Sequence, residues 1–400
     1  MPSHHVLVLN CGSSSFKFAI IDPHHGETLL NGLAERLNDS NPAMKYTYNG
    51  TKTNIELASF SSHTIAIESL VSIIQDLNLS DSLIAVGHRV VHGGETFTQS
   101  VEITPDVLAA IQKTSNLAPL HNPANLIGIE AAQHAFPNLK QIAVFDTAFH
   151  QTIPEHAYLY AIPYSLYQDH GIRRYGFHGT SHYYVSDMAC KTLGLDKQNS
   201  KIITAHLGNG CSVSAIKNGQ SVDTSMGLTP LEGLVMGTRS GDIDPGLFSY
   251  LTSQLNYSNE QVDALLNKQS GLLGLSQLSN DCREIEDAAQ AGHRQALLAL
   301  DIFCYRLAKY ISSYLVPLGG LDALIFTGGI GENSSLIRQK VLSHLSFVGV
   351  RCDDSQNEIA RFGKGGIISA NGSSVQAAVI PTNEEWVIAT DAAALTLETK

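Results

Sequence analysis

The chain has 400 residues, 43% of them apolar, and a formal charge of −12 from 25 basic and 37 acidic side chains. That length exceeds what one core usually holds, and the apolar fraction excludes an intrinsically disordered chain. The acidic balance excludes nucleic acid and an anionic membrane as principal partners, because both require a basic footprint. Only 16% of residues are charged, against about 25% in an ordinary domain, so charges that fall in turns carry extra weight.

Met1 to Asn10 holds only Val6–Leu9 as an apolar run, too short for a signal-peptide core, and no run approaches the length of about 18 residues that spans a bilayer. The cysteines, Cys11, Cys190, Cys211, Cys282, Cys304 and Cys352, include no C-x-x-C pair, so reduced thiols in a soluble cytoplasmic protein are expected.

In chain order, Val6–Asn10 reads as a strand, Asn10-Cys11-Gly12-Ser13-Ser14-Ser15-Phe16-Lys17 as a turn, and Phe16–Ile21 as the returning strand. Ile84–Val86 is a short strand leading into His88-Arg89-Val90-Val91-His92-Gly93-Gly94. Asn122 is expected as an N-cap, with Pro123 opening a helix to Ala135. Gln141–Phe145 is a strand that ends on Asp146. Lys201–Ala205, the turn Leu207–Ser212 and Val213–Ile216 repeat the first strand–turn–strand unit. Asp244-Pro245 starts a helix, and Ala288–Leu315 carries apolar residues at helical spacing as one long helix. Ala323–Thr327 feeds the glycine turn Gly328-Gly329-Ile330-Gly331, and the final helix runs from Trp386 to Leu397 behind Glu384 and Glu385. Two such hairpin units predict two α/β halves facing each other across a cleft.

No Walker A loop, protein-kinase catalytic loop, G-x-S-x-G elbow or H-E-x-x-H occurs. Small residues in the two hairpin turns let backbone N–H groups approach a phosphate, and an ordinary turn is the alternative for each. Arg89 beside a strand end and Arg239 in Gly237-Thr238-Arg239-Ser240-Gly241-Asp242 suit the bidentate holding of carboxylate and phosphoryl oxygens, with ion pairing as the alternative. Asp146 is a candidate site carboxylate or a turn cap. His88 with His92, and His178 with His182, have the i, i+4 spacing of metal ligands. Gly179 argues against a helix there, which makes His178 a loop donor.

Together, Asn10–Lys17, Gly87–Gly94, Asp146–Thr152, Tyr175–His182, His206–Gly210, Gly237–Pro245 and Gly328–Asn333 resemble the acetate kinase family, within the sugar kinase, heat-shock ATPase and actin superfamily. The resemblance implies an α/β fold of two ribonuclease-H-like domains, residues 1–147 with 384–400 and residues 148–383, facing across a nucleotide cleft in a homodimer. It implies reversible phosphoryl transfer from ATP to acetate, giving acetyl phosphate and ADP, with Mg2+ (Mn2+ as substitute). Asn10 and Glu384 then match the metal site. Asp146, Arg89, Arg239 and His178 match the catalytic set, and Arg89, Val91, Leu120, Phe177 and Pro230 the acetate site. Lys17, His206, Leu207, Gly208, Asn209, Gly210, Asp281, Cys282, Arg283, Gly329, Ile330, Gly331, Glu332 and Asn333 match the nucleotide site.

A carboxylic acid of pKa roughly 4–5 is ionised at neutral pH, so such an acceptor needs no general base, and Asp146 is expected to act by positioning and through the metal. The competing readings are a kinase for propionate or another short carboxylate, an actin- or chaperone-like nucleotide switch, and a zinc hydrolase built on the paired histidines.

Overall fold

A computed structural model describes residues 4–118 and 121–397. The chain divides into two compact units, Met1–Ala148 with Asn383–Lys400 and Phe149–Thr382.

The first unit is built on eight strands: β1 (His5–Cys11), β2 (Ser15–Ile21), β3 (Thr28–Glu35), β4 (Ala43–Tyr48), β5 (Thr51–Glu56), β6 (Leu83–Val90), β7 (Val101–Glu102) and β8 (Lys140–Phe145). Their order is β5-β4-β3-β2-β1-β6-β8-β7, with β1 through β5 antiparallel and β1, β6 and β8 parallel. β1 is apolar from Val6 to Leu9 because both of its faces are covered. Leu7 and Leu9 join Phe16, Phe18, Ile67 and Leu70 in one core, while Val6 and Val8 meet Ile388, Ala389 and Ala392 of the helix Glu384–Leu397 in another. That helix lies so close that a Cβ on Gly87 would stand 2.6 Å from Ile388 Cγ2.

The second unit holds β9 (Lys201–Leu207), β10 (Cys211–Lys217), β11 (Gln220–Thr224), β12 (Ala323–Thr327), β13 (Gly366–Ile367) and β14 (Gln376–Val379), in the order β11-β10-β9-β12-β14-β13. β9 pairs antiparallel with β10 and parallel with β12, which pairs parallel with β14. The core of each sheet therefore repeats one plan: an antiparallel meander of three strands whose first strand continues into two parallel ones. The helix Gly179–Leu193 covers one face through Val185, Ala189 and Cys190. All six cysteines are free, and five are buried.

Several local expectations change. The long helix is two, Cys282–Gln290 and Arg294–Ser313, because Gly292 at φ +85° breaks the path between them. Asn122 is already helical and does not cap, since its side chain is taken by the backbone of His92, to which it bonds at 2.9 and 3.1 Å. A helix does begin at Gly179, with His178 as its N-cap in left-handed backbone, φ 56°. The strand at Ile84–Val86 extends to Leu83–Val90, and the last helix begins at Glu384. Among the described residues no helix is long and apolar enough to cross a membrane.

Candidate active site

In the first unit the carboxyl ends of the parallel strands collect polar side chains, as open α/β sheets do at their ligand sites. Asn10 is the penultimate residue of β1, Arg89 the penultimate residue of β6, and Asp146 follows β8, with its N–H bonded to Val90 O at 3.0 Å. Arg89 donates from Nε to Asp146 Oδ1 at 3.0 Å and from Nη2 to Oδ2 at 2.6 Å, a bidentate pair. Its Nη1 reaches Asn10 Oδ1 at 3.4 Å. Asp146 is 1% exposed, whereas the Arg89 side chain keeps 24% of its surface accessible. Burial lowers the Arg89 pKa, but the charge and hydrogen bonds of Asp146, aided by Glu384, outweigh it and leave the pKa raised.

Glu384 enters from the start of the last helix. Its carboxyl is held above the ordinary range by burial and by the charge of Asp146, against the opposing pull of Arg89 and Lys17. Lys17 lies opposite Asn10 in the β1–β2 register. Asn10, Asp146 and Glu384 thus offer oxygen donors whose two carboxylates are balanced by Arg89 and Lys17, a donor set of the kind a hard divalent cation takes. Among the described residues, no group of three or more His, Cys, Asp or Glu is arranged to hold a metal.

The loop after β6 is fixed by residues that sequence reasoning passed over. Asn125 accepts the Val91 N–H at 3.1 Å and donates to Cys11 O at 2.8 Å, and Thr147 accepts the Gly93 N–H at 3.1 Å. These amide bridges cross 34 and 114 positions, beyond the reach of any local pattern. Val91 is buried in this loop. Leu120 lies outside the described residues.

In the second unit the same strand ends carry the other candidates. β9 runs out at Leu207 into Gly208-Asn209-Gly210, and β12 runs out at Thr327 into the short helix Gly328–Asn333. Gly328, at φ +76°, lets that loop press against the first one: a Cβ there would stand 2.8 Å from Leu207 O. Glu332 ties the loop to itself and to the chain before the last helix, accepting the Gly328 N–H at 2.9 Å and the Thr382 N–H at 3.1 Å.

Beside these loops lies a cavity of about 550 Å³. Gly208, Asn209, Asp281, Cys282, Arg283, Gly329, Ile330 and Asn333 line it; His206, Leu207, Gly210, Gly331 and Glu332, also expected there, do not. Asn280, Glu286, Ser334, Arg361 and Phe362 complete the wall and were not anticipated. Phe362 carried the one sequence signal, a large aromatic beside a cation in a glycine-rich stretch; it is 77% exposed, with the Arg361 guanidinium 4.8 Å from its ring. The size and mixed lining suit a small-molecule ligand of nucleotide dimensions.

Above Gly210 two nitrogen-bearing side chains converge. A Cβ on Gly210 would lie 3.3 Å from Arg239 Nη1 and 3.5 Å from His178 Nε2, so glycine keeps this space open. Arg239 donates to Pro230 O at 3.0 Å and pairs with no carboxylate among the described residues. Burial lowers its pKa, with Cys211 partly opposing. A guanidinium in such a place is poised for an anion supplied by a ligand. His178 is stacked on His206, ring centroids 4.3 Å apart, and its Nδ1 is 2.9 Å from Ser212 Oγ. Phe177 is buried, its carbonyl accepting a hydrogen bond from His150 Nε2 at 3.0 Å. The paired histidines do not converge as ligands: His88 bonds Gln141 Oε1 at 2.7 Å, and His182 bonds Thr204 and Ser212.

The acetokinase family profile matches residues 5–390. The chain is 60% identical to the acetate kinase of Shewanella frigidimarina, over 97% of both chains. Its fold superposes on the crystal structure of Porphyromonas gingivalis acetate kinase with TM-score 0.93 and 48% identity, covering 98% of this chain and 100% of that one. A propionate kinase from Francisella tularensis gives TM-score 0.92 and 47% identity over 97% and 98% of the two chains. The two-sheet α/β architecture is accordingly the actin-like ATPase fold of those kinases. With strand ends, loops and arginines arranged as described, and a match that runs almost from end to end, the chain belongs to the acetokinase family.

Proposed function

We propose that the chain transfers a phosphoryl group reversibly between ATP and acetate, forming acetyl phosphate and ADP by direct in-line displacement. The observation that carries this reading is Arg239, a part-buried guanidinium without a carboxylate partner among the described residues, set beside His178 over Gly210 and in the same unit as a nucleotide-sized cavity. A nucleotide switch with no anionic acceptor has no use for that unmatched charge.

Phosphoryl transfer asks mainly for positioning and for neutralisation of anionic oxygens. Arg89, locked by Asp146, presents a fixed charge to one anion, and Arg239 presents a second. The acetate oxygen is already ionised and attacks without a base. Asn10, Asp146 and Glu384 are the oxygen donors that fit Mg2+, or Mn2+ in its place. The ion would supply charge neutralisation of the nucleotide phosphates. Val91, Leu120, Phe177 and Pro230 are assigned to the methyl side of the acceptor, and the residues around the 550 Å³ cavity to the nucleotide. Buried, unpaired cysteines suit a cytoplasmic enzyme, and the exposed Leu247, Phe248 and Tyr250 suit a homodimer contact.

The test is the reverse reaction: purified protein with acetyl phosphate and MgADP, followed by luciferase detection of ATP. ATP formation that requires both substrates and Mg2+ is expected. Its absence under all conditions overturns the reading. The likeness to a propionate kinase makes acceptor length the second variable, and propionyl phosphate is the parallel substrate.

A further inference from the structure

Behind His178 the second unit buries a line of polar side chains to which the reaction assigns no role. Thr204 Oγ1 lies 2.7 Å from His182 Nδ1, His182 Nε2 lies 2.7 Å from Ser212 Oγ, and Ser212 Oγ lies 2.9 Å from His178 Nδ1. Thr204, His182 and Ser212 are all fully buried. Burial, with the charges of His150 and His206, holds His182 well below its ordinary pKa, so it is neutral and has one N–H to give.

The line then has two polarities. If His182 donated from Nδ1, the Thr204 hydroxyl hydrogen would need another acceptor, and Thr204 Oγ1 has no other partner among the described residues. A buried donor left without an acceptor costs roughly 1–3 kcal/mol. In the opposite polarity every hydrogen is used: Thr204 donates to His182 Nδ1, His182 Nε2–H donates to Ser212, and Ser212 donates to His178 Nδ1. His178 Nδ1 is then an acceptor, and the imidazole proton resides on Nε2, the edge that faces Gly210 and Arg239 Nη1.

We propose that Thr204, His182 and Ser212 are positioning residues that hold neutral His178 as its Nε2–H tautomer. His178 thereby keeps a donor aimed at the Arg239 space without becoming cationic. This matters because the group facing it over Gly210, Arg239, is cationic, and the other neighbours are imidazoles that offer no negative charge: His206 stacked on its ring, neutral His182 through Ser212, and His150 packed on His182 at 5.6 Å. A second positive charge beside Arg239 would be repelled, whereas a neutral donor is not. The reading rests on the proposal that this space receives the transferred phosphoryl oxygens, but the tautomer itself is a property of the protein without substrate.

Two measurements keep the inferences separate. Long-range proton–nitrogen correlation spectra of the 15N-histidine protein at neutral pH, assigned by loss of a signal in His178→Ala, report the tautomer directly. A neutral Nε2–H ring is expected, and an Nδ1–H ring overturns the proposal whatever the enzyme's activity. For catalysis, the ratio of Ser212→Ala to wild-type kcat is followed against pH, with ADP KM as control. The ratio is expected to fall by about 10²-fold from acid to alkaline pH, because without the Ser212 hydroxyl only an imidazolium guarantees a donor, while ADP KM stays level. Thr204→Val, which removes the first donor of the line, is expected to act in the same direction. Ser212→Thr, which keeps the hydroxyl, is expected to retain the wild-type profile. A ratio flat with pH in the alanine and valine variants overturns the proposal. If neither of these folds, the wild-type spectrum alone decides it.

Discussion

Arg89 grips Asp146 through both carboxylate oxygens, at 3.0 and 2.6 Å, while its third nitrogen reaches Asn10 at 3.4 Å. One ion pair thereby links the ends of β1, β6 and β8. A part-buried pair of this geometry fixes the direction of the guanidinium more than it adds stability, because desolvation offsets much of the attraction.

Replacing Asp146 with Asn keeps the volume but removes the charge that orients Arg89. Turnover is expected to fall by on the order of 10²–10⁴, with affinity for metal-free ADP largely spared, since Asp146 is not among the residues that line the cavity assigned to the nucleotide. Steady-state kinetics and calorimetric ADP titration of the same sample check this.

Arg239 and Arg174 separate function from stability. Arg174 is bound to Glu232 at 2.6 Å and to the Thr224 carbonyl at 2.8 Å, so Arg174→Ala leaves the part-buried Glu232 carboxylate with only the Tyr160 hydroxyl as partner and is expected to destabilise by about 2–3 kcal/mol. Arg239→Ala breaks the bond to Pro230 O and a weak one to Met236 Sδ and is expected to cost about 1 kcal/mol of stability, yet about 10²–10⁴ in rate. Paired denaturant melts and rate measurements read both effects.

The raised Glu384 carboxyl predicts a signed pH effect. A carboxyl whose pKa is higher in the folded than in the unfolded chain holds its proton on folding, so stability falls as pH rises through the interval above the ordinary carboxylate value. Glu384→Gln abolishes that loss. In metal-free protein the variant's melting temperature is expected to gain on wild type between about pH 5 and about pH 8, and its Mg2+ requirement to weaken. An equal difference at both pH values contradicts the assignment.

Val91→Ala removes two methyl groups from a buried loop side chain. The ratio of kcat/KM for propionate to that for acetate is expected to rise by about 10-fold, the scale of one methylene in an apolar pocket. An unchanged ratio places Val91 outside the acceptor site.

Much of this arrangement was legible in the chain because its signals are local. The apolar runs and small-residue turns at Val6–Ile21 and Lys201–Ile216 give β1–β2 and β9–β10 directly, and Arg89, Asp146 and Arg239 stand where strand ends and glycine loops put ligands. What escaped depends on distance. Asn125 acts across 34 and 114 positions, Ser212 meets His182 across 30, and Phe362 reaches the cavity from a loop with no strand before it. Gly292 shows the other failure: helical periodicity on both sides hid a residue whose backbone leaves the helix.

The most direct measurement is acyl phosphate formation, trapped with hydroxylamine, from MgATP and acetate, propionate or butyrate, in wild type and Arg239→Ala. The account predicts acid-dependent product that declines as the acid lengthens and nearly vanishes in the variant. ATP hydrolysis indifferent to every acid, or product undiminished by loss of Arg239, would contradict it.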